Sequence, residues 1–297
     1  MAKKNPKSLD DLSAPQRERL WLIDFLAQFK GELTRNDVVK RFGVTLSNAT
    51  IDLALYRKLA PENIHYDARS KTYQRTQSFV PLFDYEPLKT LSTLSEGVSE
   101  GFHSGPTPVS ISPSHHLNQP DLEILASVCR AIHFRQALRA SYISLTSGET
   151  ERELVPHSLV DTGQRWHVRA YCRKRQEFRD FVLTRFTQIC SEGLTIDSEQ
   201  ESVECDNDWN AKVTLTLIPH PGVSFPEAIE RDYGMQNGTL EVTGLPAATI
   251  GYLLRLWSVD CSADHRLSAA EYQLALANPA DLHSAGNFAI APGAQLS

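Results

Sequence analysis

Four arginines, Arg165, Arg169, Arg179 and Arg185, lie within or beside two strand-like runs where solubility alone does not call for them. The runs are Arg165-Trp166-His167-Val168-Arg169-Ala170-Tyr171-Cys172 and Phe178-Arg179-Asp180-Phe181-Val182-Leu183-Thr184-Arg185-Phe186. With the charged turn Arg173-Lys174-Arg175-Gln176-Glu177 between them, the 21 positions from Arg165 to Arg185 carry seven Lys and Arg. A guanidinium is ionised at any ordinary pH, and its planar fork matches the two oxygens of a phosphate or carboxylate. Residues i and i+2 share a strand face. His167 and Arg169 are therefore expected to point the same way as Arg165, while Trp166, Val168 and Ala170 form an apolar side that packs inward. The pattern is that of a receptor for an anion, with Trp166 structural. The competing reading spends these arginines on ion pairs, because residues 121–200 hold 11 Lys and Arg against 11 Asp and Glu.

Other chemistry is poorly served. No Walker P-loop, H-E-x-x-H or paired-cysteine zinc pattern occurs. His157 can be drawn beside Ser144 or Ser158 as a nucleophile pair, but no orienting acid or oxyanion hole accompanies them. No catalytic residue, metal ligand or cofactor is expected, and the protein is read as not an enzyme. His115-His116, the one His pair, reads as solvent-exposed. Five scattered cysteines, Cys129, Cys172, Cys190, Cys205 and Cys261, fit a reducing cytoplasm and no disulfide framework. Cys172 beside Arg173 reads as a small buried residue rather than a redox sensor. No run of about 18 apolar residues is present, so no membrane association is expected.

The elements that must position the arginines follow from the rest of the chain. At 297 residues, two or three domains are expected. The net charge of −6 is unevenly spread: residues 1–80 hold 14 Lys and Arg against 9 acids, and residues 201–297 hold 4 against 12. A basic head on an acidic body is the distribution of a duplex-binding module with a non-binding tail. Ser13-Ala14-Pro15-Gln16 reads as a capped helix start, followed by Leu22, Phe25, Leu26 and Phe29 at helical spacing, with Gly31 as the stop. Thr34 with Asp37 opens a short helix to Gly43. Thr45-Leu46-Ser47 opens a third that buries Ala49, Leu53, Tyr56 and Ala60. Ile64-His65-Tyr66 and Thr72-Tyr73-Gln74 flank the basic turn Asp67–Lys71. This is a winged helix-turn-helix. Ser47, Asn48 and Thr50 at the leading end of the third helix suit base edges; Arg57, Lys58, Arg69 and Lys71 suit phosphates.

Residues 81–120, rich in proline and serine, read as a linker with a short helix from Pro87 to about Gly97. A helix from Pro120 carries Leu122, Leu125, Ala126, Cys129 and Ile132. Short strands follow at Phe134–Leu145, Leu154–Val160, Arg165–Cys172 and Phe178–Ile189, with Pro156 at an edge or bulge. They point to a small antiparallel barrel. From about Trp209 the order strand, helix (Phe225–Tyr233), strand (Leu240-Glu241-Val242), helix (from Pro246), strand (Tyr272–Leu276) describes a small α+β module.

Tyr142-Ile143-Ser144, Pro156-His157-Ser158-Leu159 and the two arginine-bearing runs resemble the successive motifs of a WYL domain, an Sm/SH3-like β-barrel of bacterial transcription regulators. Trp166-His167-Val168 stands where the family has its Trp-Tyr-Leu tripeptide, so imidazole replaces the central phenol. The order winged helix, connector, WYL barrel and extension resembles the regulators encoded beside anti-phage systems such as BREX and CBASS. The resemblance implies a multidomain α+β protein: 1–80 a DNA-binding winged helix-turn-helix, 81–120 a linker, 121–205 the ligand-sensing barrel, 206–297 an α+β dimerisation module. It implies a cytoplasmic homodimeric repressor on an inverted-repeat double-stranded operator. Release would come from a nucleotide or short nucleic acid held by Tyr142, Ser144, His157, His167, Arg169, Arg179 and Arg185. An activator of the same architecture, or a nucleic-acid-binding effector whose winged helix contacts protein, stays open at this point.

Overall fold

The computed structural model describes residues 8–96, 117–283 and 285–294. His115-His116 and residues 97–114 of the expected linker lie outside them. Two compact units share the chain: Met1–Pro156 with Leu183–Leu194, and His157–Val182 with Thr195–Ser297. No helix among the described residues is long and apolar enough to cross a membrane.

In the first unit, helix α1 (Ala14–Phe29), strand β1 (Glu32–Leu33), helices α2 (Arg35–Phe42) and α3 (Leu46–Leu59), and strands β2 (Ile64–Asp67) and β3 (Thr72–Arg75) follow in order. The strands form a sheet in the order β1-β3-β2. Local chemistry explains the joints. Thr34 and Asp37 form a reciprocal capping box on α2, satisfying two amides the helix leaves open. Gly43 ends α2 at φ 64°, a left-handed conformation that glycine adopts without strain. The box expected at Ser13 and Gln16 is not formed; Ser13 is the N-cap residue without a side-chain capping bond, and Pro15 in the first turn starts the helix.

The apolar stripe read along α1 is only one of two buried sides. Leu20, Ile23 and Ala27 pack with Leu33, Val38, Ala49, Leu53, Tyr56 and Ile64 in the core of the winged helix. Phe25 and Phe29 meet the ring of Tyr85 instead, at centroid distances of 5.9 and 5.3 Å. Helix α4 (Pro87–Glu96) follows, and the expected stop near Gly97 lies outside the described residues.

Helix α5 (Leu122–Phe134) is capped by Asp121, whose carboxylate accepts from the amides of Glu123 and Ile124. After it come β4 (Ala137–Ser144), β5 (Gly148–Asp161), β6 (Trp166–Cys172), β7 (Glu177–Val182) and β8 (Phe186–Leu194), with sheet order β7-β6-β5-β4-β8. β7 and β8 are its two edges, so the closed barrel expected from the strand count is not what the pairing gives. The second arginine run is also broken. Leu183–Arg185 forms a 3-10 turn; β7 before it pairs with β6, and β8 after it pairs with β4. The run is two strands rather than one. β5 is central rather than an edge, and its ladder to β4 ends at Leu154, two residues before Pro156, where a missing N–H costs that ladder nothing.

In the second unit, α6 (Asn207–Asn210), β9 (Lys212–Pro219), α7 (Pro226–Tyr233), β10 (Leu240–Pro246), α8 (Ile250–Leu256), β11 (Val259–Asp260) and β12 (Leu274–Leu276) form a four-stranded sheet, order β10-β9-β12-β11, with helices. Its core holds Leu215, Leu217, Ile229, Ile250, Leu254, Leu274 and Leu276. The mixed strand and helix order expected of this segment is present, with β11 added.

Candidate nucleic-acid interface and anion receptor

Helix α3 has two chemically distinct sides. Ala49, Asp52, Leu53 and Tyr56 are buried; Ser47, Asn48, Thr50, Arg57 and Lys58 are exposed. Thr45 caps the helix by accepting from the amide of Asn48 at 3.2 Å, which leaves the Asn48 side chain projecting from the first turn. Thr50 donates its hydroxyl proton to the Leu46 carbonyl at 2.8 Å, so its lone pairs face outward as acceptors. Arg69 and Lys71 are exposed on the wing. Asp67 shapes that turn by accepting from the Arg69 amide and the Ser70 hydroxyl, at 2.9 and 2.7 Å. Seven side chains that suit a duplex thus stand on exposed positions of α3 and the wing.

Beneath them, Asp24 is fully buried and organises the chain around the wing. It accepts from the phenols of Tyr56 and Tyr85 and from the amides of Leu82 and Phe83. Asn63 completes the lock, donating to Tyr56 and to the Val80 carbonyl and accepting from the Val80 amide. Burial pushes the Asp24 carboxyl above the usual carboxylate range, against the pull of its hydrogen bonds. Hydropathy patterning passes over it, since an acid in an otherwise amphipathic helix reads as surface.

The expected ligand residues separate when placed on the sheet. Antiparallel register sets Arg169 opposite Asp180 and Arg179 opposite Ala170. Directly opposed residues share a face, so Arg169 and Arg179 leave β6 and β7 on opposite sides. Arg179 is exposed and pairs with Glu177 at 3.1 Å. Arg185, Tyr142 and Ser144 belong to the first unit. Arg185 is half-buried on the 3-10 turn; Tyr142 is buried against Phe186, ring centroids 5.0 Å apart; Ser144 bonds locally to Thr146.

His157 and Arg169 do come together, around a residue the sequence reading did not weigh. Asp206 accepts from Arg169 Nε at 2.7 Å and Nη2 at 2.9 Å, from His157 Nε2 at 3.1 Å and from the Trp209 amide at 3.2 Å. Its side chain is 1% exposed. Arg169 Nη1 reaches Asp180 at 3.3 Å, and the Tyr252 hydroxyl donates to the other Asp180 oxygen at 3.0 Å. Burial disfavours the Asp206 anion, but the hydrogen bonds from Arg169 and His157 outweigh it and hold the carboxyl well below its usual range. Burial likewise pulls Arg169 down, and Asp206 and Asp180 more than restore it. His167 is also buried, its ring 5.1 Å from that of Tyr252. Both sides of β6 are therefore covered: Val168 and Ala170 as expected, His167 and Arg169 by the residues just named. Trp166 is half-buried. Ion pairing of the kind weighed against ligand binding is present, in solvent at Arg179–Glu177 and in the interior at Arg169–Asp206.

The chain can now be set beside known proteins. It is 33% identical over 279 residues to the DNA-binding transcriptional repressor CapW of Escherichia coli (strain KTE188), covering 91% of each chain. Proteins of the same name from Pseudomonas aeruginosa and Stenotrophomonas maltophilia are 34% and 33% identical; the matches cover 89% of both chains for the first, and 86% of this chain and 88% of the relative for the second. The chain belongs to the CapW family.

Three family models match in sequence order. The BrxR transcriptional regulator winged helix-turn-helix domain covers residues 15–93, the WYL domain residues 123–191, and the BrxR C-terminal dimerization domain residues 212–282. The first match spans α1 to α4, including the chain around Asp24. Asp206 falls between the second and third, in a stretch neither WYL motifs nor a dimerisation fold would bring to notice. A signal existed: Asp206-Asn207-Asp208-Trp209 carries the Asp of a helix N-cap, and a capping acid is a charge with a fixed position.

Proposed function

We propose that this CapW-family protein is a DNA-binding transcriptional repressor. It dimerises through residues 206–297, reads an inverted-repeat operator with residues 1–80, and answers to an anionic nucleotide or short nucleic acid at residues 121–205, across the 81–120 linker. The regulated operon is one of phage defence. The reading is carried by the exposed polar side of α3, backed by a buried side that anchors it. Ser47, Asn48 and Thr50 read base edges, and Arg57, Lys58, Arg69 and Lys71 hold phosphates. Tyr142, Ser144, His157, His167, Arg169, Arg179 and Arg185 are the candidate effector residues, with His157 and Arg169 the pair supported by a shared anion.

Binding of the full-length protein to its own upstream region, followed by gel shift at moderate salt, tests the repressor reading; no bound inverted repeat there rejects it. Two heads on successive major grooves must sit about 34 Å apart. Two substitution sets separate base reading from phosphate holding. Asn48→Ala with Thr50→Ala is expected to lower operator affinity about 10- to 100-fold and to leave non-specific duplex binding nearly unchanged, each base-edge contact being worth about 1–3 kcal/mol. Arg57→Ala with Lys58→Ala is expected to weaken operator and random duplex alike. It should also reduce the slope of log K against log salt by about one per lost phosphate contact.

A further inference from the structure

We propose that Asp206 is a tethered occupant of the anion receptor, a carboxylate of the chain's own that a nucleotide phosphate must displace from Arg169 and His157. This rests on the reading of the WYL segment as an anion receptor and gives that site a mechanism. Asp206 does what a ligand would do: it presents two oxygens to one edge of the Arg169 fork, at 2.7 and 2.9 Å, and shares one of them with His157. A phosphate offers the same pair of oxygens to the same fork.

Charge balance marks Asp206 as the exchangeable partner. Arg169 already has a second carboxylate, Asp180, directly opposite in the β6–β7 register and held by Tyr252. With Asp208 at 3.8 Å from Nη2, one guanidinium therefore faces three acids, and an incoming anion that takes the place of Asp206 leaves Arg169 no less compensated than before. The surroundings fit a nucleotide better than a bare ion. The His157 ring packs edge-on to Phe178 and Trp209, at centroid distances of 5.7 and 5.3 Å, and aromatic faces beside cations hold nucleobases.

Displacement also has somewhere to go. Asp206 caps α6 through the Trp209 amide, and α6 leads within two residues into β9, the first strand of the C-terminal sheet. Freeing Asp206 removes that cap at the entrance to the dimerisation domain. Internal occupancy lowers the apparent affinity for effector by the fraction of molecules in which the site is open, so the receptor answers only to a ligand present in quantity.

The test uses the full-length protein and a 5′-phosphorylated trinucleotide, with its 5′-hydroxyl counterpart as control. Asp206→Asn, which keeps the shape but not the charge, is expected to bind the phosphorylated probe about tenfold or more tightly than the wild type. The double variant Arg169→Gln/Asp206→Asn is expected to lose that binding. In the wild type, saturating probe is expected to speed amide hydrogen exchange over residues 206–211, a measurement that decides the matter even where Asp206→Asn does not fold. If the wild type binds and the double variant does not, while Asp206→Asn binds no tighter and exchange is unchanged, Asp206 is structural only and the proposal fails with the receptor intact. If neither wild type nor Asp206→Asn binds the probe, the receptor reading itself fails, and the proposal with it.

Discussion

Replacing Arg169 with alanine is expected to cost about 3–5 kcal/mol of stability, and replacing Asp206 in the same protein to recover much of the loss. The asymmetry follows from burial. Arg169 and Asp206 have side chains 7% and 1% exposed, so removing the guanidinium strands a carboxylate whose remaining partners are His157 and one amide. A buried charge without its counter-ion is costlier than the intact pair is favourable. The double replacement removes the stranded charge along with its partner, and leaves Asp180 with Tyr252. Denaturant titration of wild type, both single variants and the double gives the coupling energy directly. Equal losses for Arg169→Ala and the double variant would mean that the fold does not depend on compensating Asp206. A practical consequence concerns effector binding: loss of response in Arg169→Ala alone does not identify a ligand contact, because the same change disturbs the unit that presents it.

The winged helix was legible in the sequence because its determinants are local. Thr34 with Asp37, Gly43 and the Asp67–Lys71 turn each specify their geometry within a few residues, and α2, α3 and the wing appear where those signals place them. The strands around Arg165–Phe186 were legible as strands but not as a topology. Nothing in Leu183-Thr184-Arg185 marks a 3-10 turn, since strand propensity reports half-buried surfaces rather than partners. After that turn Phe186 pairs with β4, and no pairing among the described residues closes the sheet that the strand count suggested was a barrel. Arg169 shows the limit for sites. Its position on a strand could be read, and so could a competing reading in ion pairs, but the choice depends on Asp206, 37 positions away. Side-chain contacts at such separation leave no periodicity. The same holds for Asp24 and Tyr85, 61 positions apart.

Asp24→Ala is expected to be the comparable loss in the first unit, about 3–5 kcal/mol, with operator binding falling as the chain around the wing loosens. Four donors would lose their acceptor at a fully buried position: two phenols and the amides of Leu82 and Phe83. Each buried donor left unsatisfied costs about 1–3 kcal/mol, and relaxation toward water recovers part of it. Asp24→Asn keeps one acceptor oxygen and is expected to lose less. It also isolates the titration of this group. Burial raises the folded-state pKa of Asp24 above its ordinary 3.8, so the folded protein holds that proton more tightly than the unfolded chain does. Its contribution is then fully present below the unfolded value and is lost as pH rises through the folded value. The stability difference between wild type and Asp24→Asn should therefore favour the wild type most in acid and narrow with rising pH. Glu192 and Asp206, whose carboxyls are held low, respond in the opposite sense but equally in both proteins, and cancel from the difference. A difference that widens with pH would show that the hydrogen bonds to the Asp24 carboxylate outweigh its burial, and that Tyr56 and Tyr85 stabilise the anion rather than merely tolerate it.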